Sequence, residues 1–188
     1  MPFDPDIAAA DSQPRRPAFP MPAGAWDCHA HVFGPVAQYP YAAQREYTPP
    51  EQPLADYLRM LDCVGIACGV LSQPSVYARD NACLVQALRA AGGRLRGVVV
   101  IDPAAATDGE LERMHAAGVR GVRMNLALPG GIPAAQLTAL AARLAELGWH
   151  LEVVLKGIGQ LAELAAAFAR FDVPVVVEQM GSVRAGDA

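Results

Sequence analysis

The sequence predicts an α/β protein built as a parallel (β/α)8 barrel of the TIM type, with only about six strand-helix units present, and three observations lead there. Short apolar, β-branched runs alternate with longer Ala/Leu/Arg segments from about Ala25 onward. The apolar runs lack a polar face, which marks strands covered on both sides rather than antiparallel strands wetted on one. Polar side chains gather at the carboxyl ends of these runs: His29 and His31, Gln73 and Ser75, Asp102, Arg123 and Asn125, and Gln179. A barrel places its chemistry at those ends. An open dinucleotide-binding sheet would instead carry G-x-G-x-x-G after its first strand, where this chain has His31, Val32, Phe33, Gly34 and Pro35.

Each element has its own signals. Eleven of the 16 prolines fall in the first 53 residues, and residues 1–24 show no hydrophobic period, so they are expected to form a flexible arm ahead of a partial barrel over 25–188. Strands are expected at 25–33, 68–74, 96–102, 121–126, 150–156 and 173–179, and helices at about 53–64, 79–91, 107–117, 133–147 and 158–171. Thr107 and Glu110 have the spacing of a capping box. Gly118 and Gly148 sit where helices stop, and Pro133 suits a first helical turn.

Composition narrows the function classes. At 188 residues and 53% hydrophobic content, the chain can bury one sizeable core. A net charge of −4, with Lys156 the only lysine, leaves no basic stripe to follow a phosphate backbone, so no nucleic-acid partner is expected. Cys28, Cys63, Cys68 and Cys83 form no C-x-x-C pair and read as free thiols of a reducing compartment. Prolines interrupt the stretch that an export signal would need, and no apolar run approaches the roughly 20 residues that span a bilayer. A cytoplasmic protein without membrane contact is the expectation.

The first strand carries the sharpest chemical signal. A period of two puts Asp27, His29 and His31 on one face and Cys28, Ala30 and Val32 on the other, so two imidazoles converge on one point. That geometry suits polarisation of one substrate oxygen, or shared ligation of a metal. Arg123 and Asn125 share a face of the fourth strand, where a guanidinium could fork onto a substrate carboxylate or pair with Asp102. Ser75, Tyr77 and Asn81 follow the second strand, either gripping a ligand or making ordinary turn and cap bonds. His150 falls at the amino end of its strand and reads as structural. His115 reads as a helix-surface residue, and Lys156 as a solvated rim residue.

The runs Asp27 to Pro35, Tyr39-Pro40-Tyr41, Tyr47-Thr48-Pro49-Pro50, Gln73-Pro74-Ser75, Gly118 to Asn125 and Gly148-Trp149-His150 resemble, in order, the amidohydrolase-related family (amidohydrolase 2) of pyrone and sugar-acid lactone enzymes. That resemblance implies a (β/α)8 barrel, hydrolysis or isomerisation of a small carboxylated lactone, and, for the pyrone branch, no required metal. It implies that His29 and His31 polarise the lactone carbonyl while Tyr47, Ser75 and Arg123 hold substrate carboxylates. The family's sixth strand ends in Asp-His-Met-Gly, and here it reads Glu178-Gln179-Met180-Gly181. Gln179 can donate a hydrogen bond to an oxyanion but cannot carry an imidazolium charge, and it is a poor zinc ligand. Val154 and Pro129 stand where the pyrone branch has a substrate-binding tyrosine and a second arginine, which argues against a dicarboxylate pyrone.

The family continues through two more strand-helix units, the last of which supplies the water-activating aspartate. Two readings follow. The chain is a lactone hydrolase using His29 and His31, with Tyr47, Ser75, Arg123, Asn125 and Gln179 around the substrate and no cofactor. Alternatively it is a truncated, inactive relative that binds a ligand or associates with itself to form a homo-oligomer. A third reading makes His29 and His31 zinc ligands, one fewer than the three protein ligands usual at catalytic zinc.

Overall fold

The computed structural model describes residues 7–127 and 134–183. It divides into two compact units, Met1–Val99 with Ala116–Val119, and Val100–His115 with Arg120–Ala188. Both are built from parallel strands that follow one another in chain order with a helix between them, as the alternating pattern predicts.

In the first unit, β1 (Trp26–Ala30), β2 (Cys68–Ser72) and β3 (Leu95–Val99) alternate with α1 (Leu54–Val64) and α2 (Ala82–Ala90). β1 runs parallel to β2, and β2 to β3. The helices lie close on the strands because glycines leave the room. A Cβ on Gly97 would stand 2.6 Å from Leu88 Cδ1, and Leu84, Leu88, Leu95 and Val98 close a buried layer there. Gly65 ends α1 at φ 82°, its N–H bonded to Leu61 O. The Gly97 N–H donates to Gly118 O, which extends this unit to the start of the fourth strand. Within residues 7–24 there is no helix or strand, and the Cys63 thiol of α1 meets Pro14 O at 3.0 Å.

In the second unit, β4 (Val119–Asn125), β5 (His150–Val154) and β6 (Val175–Val177) alternate with α4 (Ala134–Glu146) and α5 (Ile158–Phe168), and α3 (Asp108–Ala117) precedes them. The pairs β4–β5 and β5–β6 are parallel. Val122, Met124, Leu137, Leu140, Leu144, Leu151 and Val153 are buried. Pro133, expected in the first turn of α4, lies outside the described residues. Gly148 ends α4 at φ 63°. β6 is shorter than expected, because Gln179, Met180 and Gly181 take left-handed backbone angles that no strand can hold. β1 likewise stops at Ala30 rather than 33. The second helix starts at Ala82 rather than 79, since Ser75–Tyr77 form a separate turn of 3-10 helix.

His115 is half-buried rather than a surface residue. Its Nδ1 accepts a 2.9 Å bond from the indole of Trp149, which is buried at 1% exposure and needs a partner for its N–H. His150 lies across Gly121, where a Cβ would come within 2.5 Å of the ring, in keeping with a structural role.

The capping box is present. The Glu110 carboxylate accepts from Thr107 N at 2.8 Å and Oγ1 at 2.9 Å, and Glu110 N–H returns a 3.3 Å bond to Thr107 Oγ1. The Thr107 backbone N–H, then its hydroxyl, hold the Glu110 carboxyl below its ordinary value. A depressed carboxyl stabilises the fold above its unfolded-state value, and that contribution is lost as pH falls through the lowered one. Thr107→Ala should lower the urea midpoint at neutral pH by removing the capping hydroxyl, with the gap from wild type narrowing in acid.

Candidate active site

The structure brings His29 and His31 together. Their rings stand edge to face, with centroids 5.0 Å apart and planes at 78°. His29 is exposed and His31 half-buried. His31 Nδ1 lies 2.7 Å from Ser72 O, at the end of β2. A carbonyl oxygen can only accept, so Nδ1 carries the proton and Nε2 is the ring nitrogen on the side away from Ser72. Neutral His31 therefore presents a lone pair at Nε2, and only its protonated form can donate from there. A carbonyl behind the ring is also the usual outer support of a metal-binding histidine. The zinc reading fits His31 to that extent, while the pair alone supplies fewer ligands than a catalytic zinc takes.

Asp27 does not share the face of the two histidines. The register runs Asp27↔Gly69 and then Ala30↔Leu71, so β1 spends three steps where β2 spends two. Residues paired across parallel strands point to the same side. Gly69 points at Tyr57 of α1, which places both Asp27 and Ala30 on the helix side. The bulge flips Asp27 and leaves His29 and His31 flanking Ala30 on the other side. Asp27 then binds Tyr57 Oη at 3.0 Å and the His29 N–H at 3.3 Å.

Tyr47 is half-buried in the loop between β1 and α1. Paired backbone bonds between Phe33 and Gln52, at 2.9 and 2.8 Å, tie that loop, and Arg45 braces it from within through Thr48 Oγ1 at 2.9 Å and Ala42 O at 2.8 Å. Ser75 is exposed and opens the turn after β2. The other polar residues of that loop hold the turn: Gln73 Nε2 donates to Asp80 O at 2.7 Å and Asn81 Nδ2 to Arg79 O at 3.1 Å. Tyr77 Oη accepts from Gly34 N at 3.1 Å. Burial pushes the Tyr77 phenol and the Cys83 thiol up, so both stay protonated at neutral pH.

In the second unit, Arg123 forks onto Glu178, with Nε–Oε1 and Nη2–Oε2 both 2.7 Å. The two residues are 8% and 4% exposed. Sequence reasoning weighed Asp102 as a partner for Arg123; Asp102 Oδ1 accepts from Ala104 N at 3.1 Å. Asn125 closes a similar local turn, accepting from Ala127 N at 3.1 Å. Gln179 is exposed in the left-handed turn after β6, and Lys156 is exposed at the end of β5. Val154 is half-buried opposite Asn125, and Pro129 lies outside the described residues.

Sequence reasoning missed Glu152. It pairs in register with Arg123 and so faces the same way, it is 4% exposed, and its carboxylate oxygen comes within 4.8 Å of that of Glu178. The available signal was a lone carboxylate in the otherwise apolar run Leu151-Glu152-Val153-Val154, an expensive residue to bury without a cationic neighbour.

A family profile described as amidohydrolase matches residues 26–187. The chain is 38% identical over 172 residues to a 2-pyrone-4,6-dicarbaxylate hydrolase of Comamonas testosteroni, covering 90% of this chain and 56% of that one. It is 36% identical over 170 residues to a 4-sulfomuconolactone hydrolase of Rhizobium radiobacter, covering 88% and 56%. The chain thus spans about half the length of the curated relatives it matches. A solved structure from Pseudomonas putida, assigned as a 2-pyrone-4,6-dicarboxylic acid hydrolase, superposes with a TM-score of 0.75 at 35% identity, over 89% of this chain and 61% of that one. Profile, sequence and fold agree: the chain belongs to the amidohydrolase family, and its parallel strand-helix units are part of that family's (β/α)8 barrel.

Proposed function

We propose that the chain carries the ring-opening histidines of a hydrolase acting on a small carboxylated lactone. The observation that carries this reading is the edge-to-face pair of His29 and His31, with His31 Nδ1 fixed on Ser72 O. In the reaction, water adds to the ring carbonyl carbon, the acyl bond to the ring oxygen breaks, and the departing oxygen takes up a proton to give an open-chain acid. Charge builds on the carbonyl oxygen as water adds, and a donor already aimed at that oxygen lowers the barrier most. With Nδ1 committed to Ser72 O, His31 fills that role as the imidazolium, donating from Nε2.

Tyr47 and Ser75 are proposed to hold a substrate carboxylate through their hydroxyls. Arg123, Asn125 and Gln179 are proposed substrate contacts of the second unit, with one condition. The Nε edge of Arg123 is taken by Glu178, so Glu178 must give way before that edge can fork onto a ligand. Loss of the tyrosine and arginine at Val154 and Pro129 favours a monocarboxylated lactone over a pyrone dicarboxylate. Relatives named as hydrolases of a pyrone and of a sulfomuconolactone support the substrate class.

The second reading, a ligand-binding or self-associating chain, draws on α5, which has no buried residue among those described although it is mostly apolar, and on Val176 of β6, 44% exposed. One experiment separates the two. Purified chain and its His31→Ala variant are given pyrone, muconolactone-type and sugar-acid lactones while their mass is followed by sedimentation. The hydrolase reading expects the wild-type chain to open at least one of these lactones and the variant to lose that opening. No opening of any lactone, with a mass above one chain, would favour the second reading.

A further inference from the structure

The bulge in β1 is held by a device outside the histidine pair. Tyr57, on the strand-facing side of α1, is buried and donates through its hydroxyl to Asp27 Oδ2 at 3.0 Å. The other carboxylate oxygen, Oδ1, accepts the backbone N–H of His29 at 3.3 Å. One carboxylate therefore bridges a helix side chain and the backbone at the point where the register shifts between Asp27 and Ala30. Gly69, paired with Asp27 on the next strand, has no side chain where the Tyr57 hydroxyl sits, and a Cβ there would collide with it.

These contacts settle a local choice. Without a bulge, strict alternation would turn Asp27 to the face of His29 and His31 and shift every later side chain of β1 relative to β2. With Asp27 anchored to α1, the extra residue is forced between Asp27 and Ala30, and His29 leaves the strand toward His31. Burial, then the neighbouring Asp27 carboxylate, push the Tyr57 phenol up, so it remains a donor through the neutral range.

We propose that Tyr57 and Gly69 are positioning residues for His29: the tyrosine hydroxyl, in the space that glycine leaves, holds Asp27 on the helix side, and Asp27 fixes the bulged backbone from which the imidazole projects. The catalytic consequence rests on the lactone reading above, whereas the geometric claim does not. Tyr57→Phe keeps the ring that fills the α1 contact and removes only the bond to Asp27. Gly69→Ala displaces the same hydroxyl from the opposite side.

Ring resonances of 15N-histidine-labelled full chain decide the matter. In Tyr57→Phe the His29 signals should shift, with a smaller change at His31 and none at His115 or His150. Gly69→Ala should move the same signals, and the double variant should do no more than Gly69→Ala alone, since both act through one bond. Where a lactone is turned over, kcat should fall about tenfold with KM within about twofold, because a misplaced imidazole costs the reaction more than it costs binding. His29 signals in Tyr57→Phe that superpose on wild type overturn the proposal. Wild-type protein that opens no lactone, while His29 still moves in the variant, overturns the lactone reading and leaves the positioning device standing.

Discussion

His31→Ala should lower kcat/KM for lactone opening by at least about 100-fold, the scale seen when one preorganised donor to a developing oxyanion is removed. Two features make this ring the most exacting of the proposed groups. Its Nδ1 is pinned at 2.7 Å to Ser72 O, so the donor role proposed for Nε2 calls for no reordering of the side chain. Its ring centroid also lies 5.0 Å from that of His29 and 6.2 Å from that of Phe33, and with the Nδ1 bond these neighbours limit ring rotation. His31→Asn is the sharper control, since its amide nitrogen can still reach toward Ser72 O but offers nothing at the Nε2 position. Steady-state kinetics on a turned-over lactone, beside thermal melts of both variants, check this. Equal loss in both, with melting unchanged within a few degrees, is the expected result. Rates matching wild type in either variant would remove His31 from the mechanism.

How much of this was legible in the residues follows from which interactions are local. The capping box at Thr107 and Glu110, the helix stops at Gly118 and Gly148, and the six strand-helix units all depend on neighbours a few residues away, and the sequence displays those neighbours. The convergence of His29 and His31 was legible for the same reason, because alternation over two residues survives beyond the bulge. Asp27 was misplaced because register is a property of two strands: nothing in the run Trp26 to Val32 announces that Gly69, some forty residues on, will admit a tyrosine hydroxyl.

The second unit shows the same limit at longer range. Arg123 read as a guanidinium for a substrate carboxylate or for Asp102, because Glu178 lies 55 residues away, in a segment expected to continue a strand. Four consecutive residues with positive φ, Gln179 to Ser182, end the strand instead. A glutamine or methionine gives no warning of a left-handed backbone, unlike the glycine beside them. The aspartate to glutamate difference at 178 was visible as a departure from the family pattern, but its physical meaning, a longer side chain able to fork onto β4, required the fold.

Glu178→Ala should destabilise the chain by up to about 3–5 kcal/mol, the scale of breaking a buried ion pair by removing one partner. Arg123 and Glu178 are nearly enclosed, with side chains 10% and 2% exposed, so solvent cannot replace the lost carboxylate. Arg123→Met should cost a comparable amount, because it strips the cation from two buried carboxylates whose oxygens lie within 4.8 Å of each other. The double variant Arg123→Met with Glu178→Leu should recover much of the loss, since an apolar pair of similar volume avoids desolvating either ion. Urea unfolding of wild type, Arg123→Met, Glu178→Leu and the double variant closes a double-mutant cycle. Glu152 enters every variant: without Glu178 it can take over part of the guanidinium, and without Arg123 it is itself a buried carboxylate beside the lost cation, so repeating the cycle on a Glu152→Gln background isolates the Arg123–Glu178 fork. Additive losses, with the double variant as unstable as the sum of the singles, would mean that the fork contributes packing rather than charge pairing, and that Arg123 can be released to a ligand at little expense to the fold.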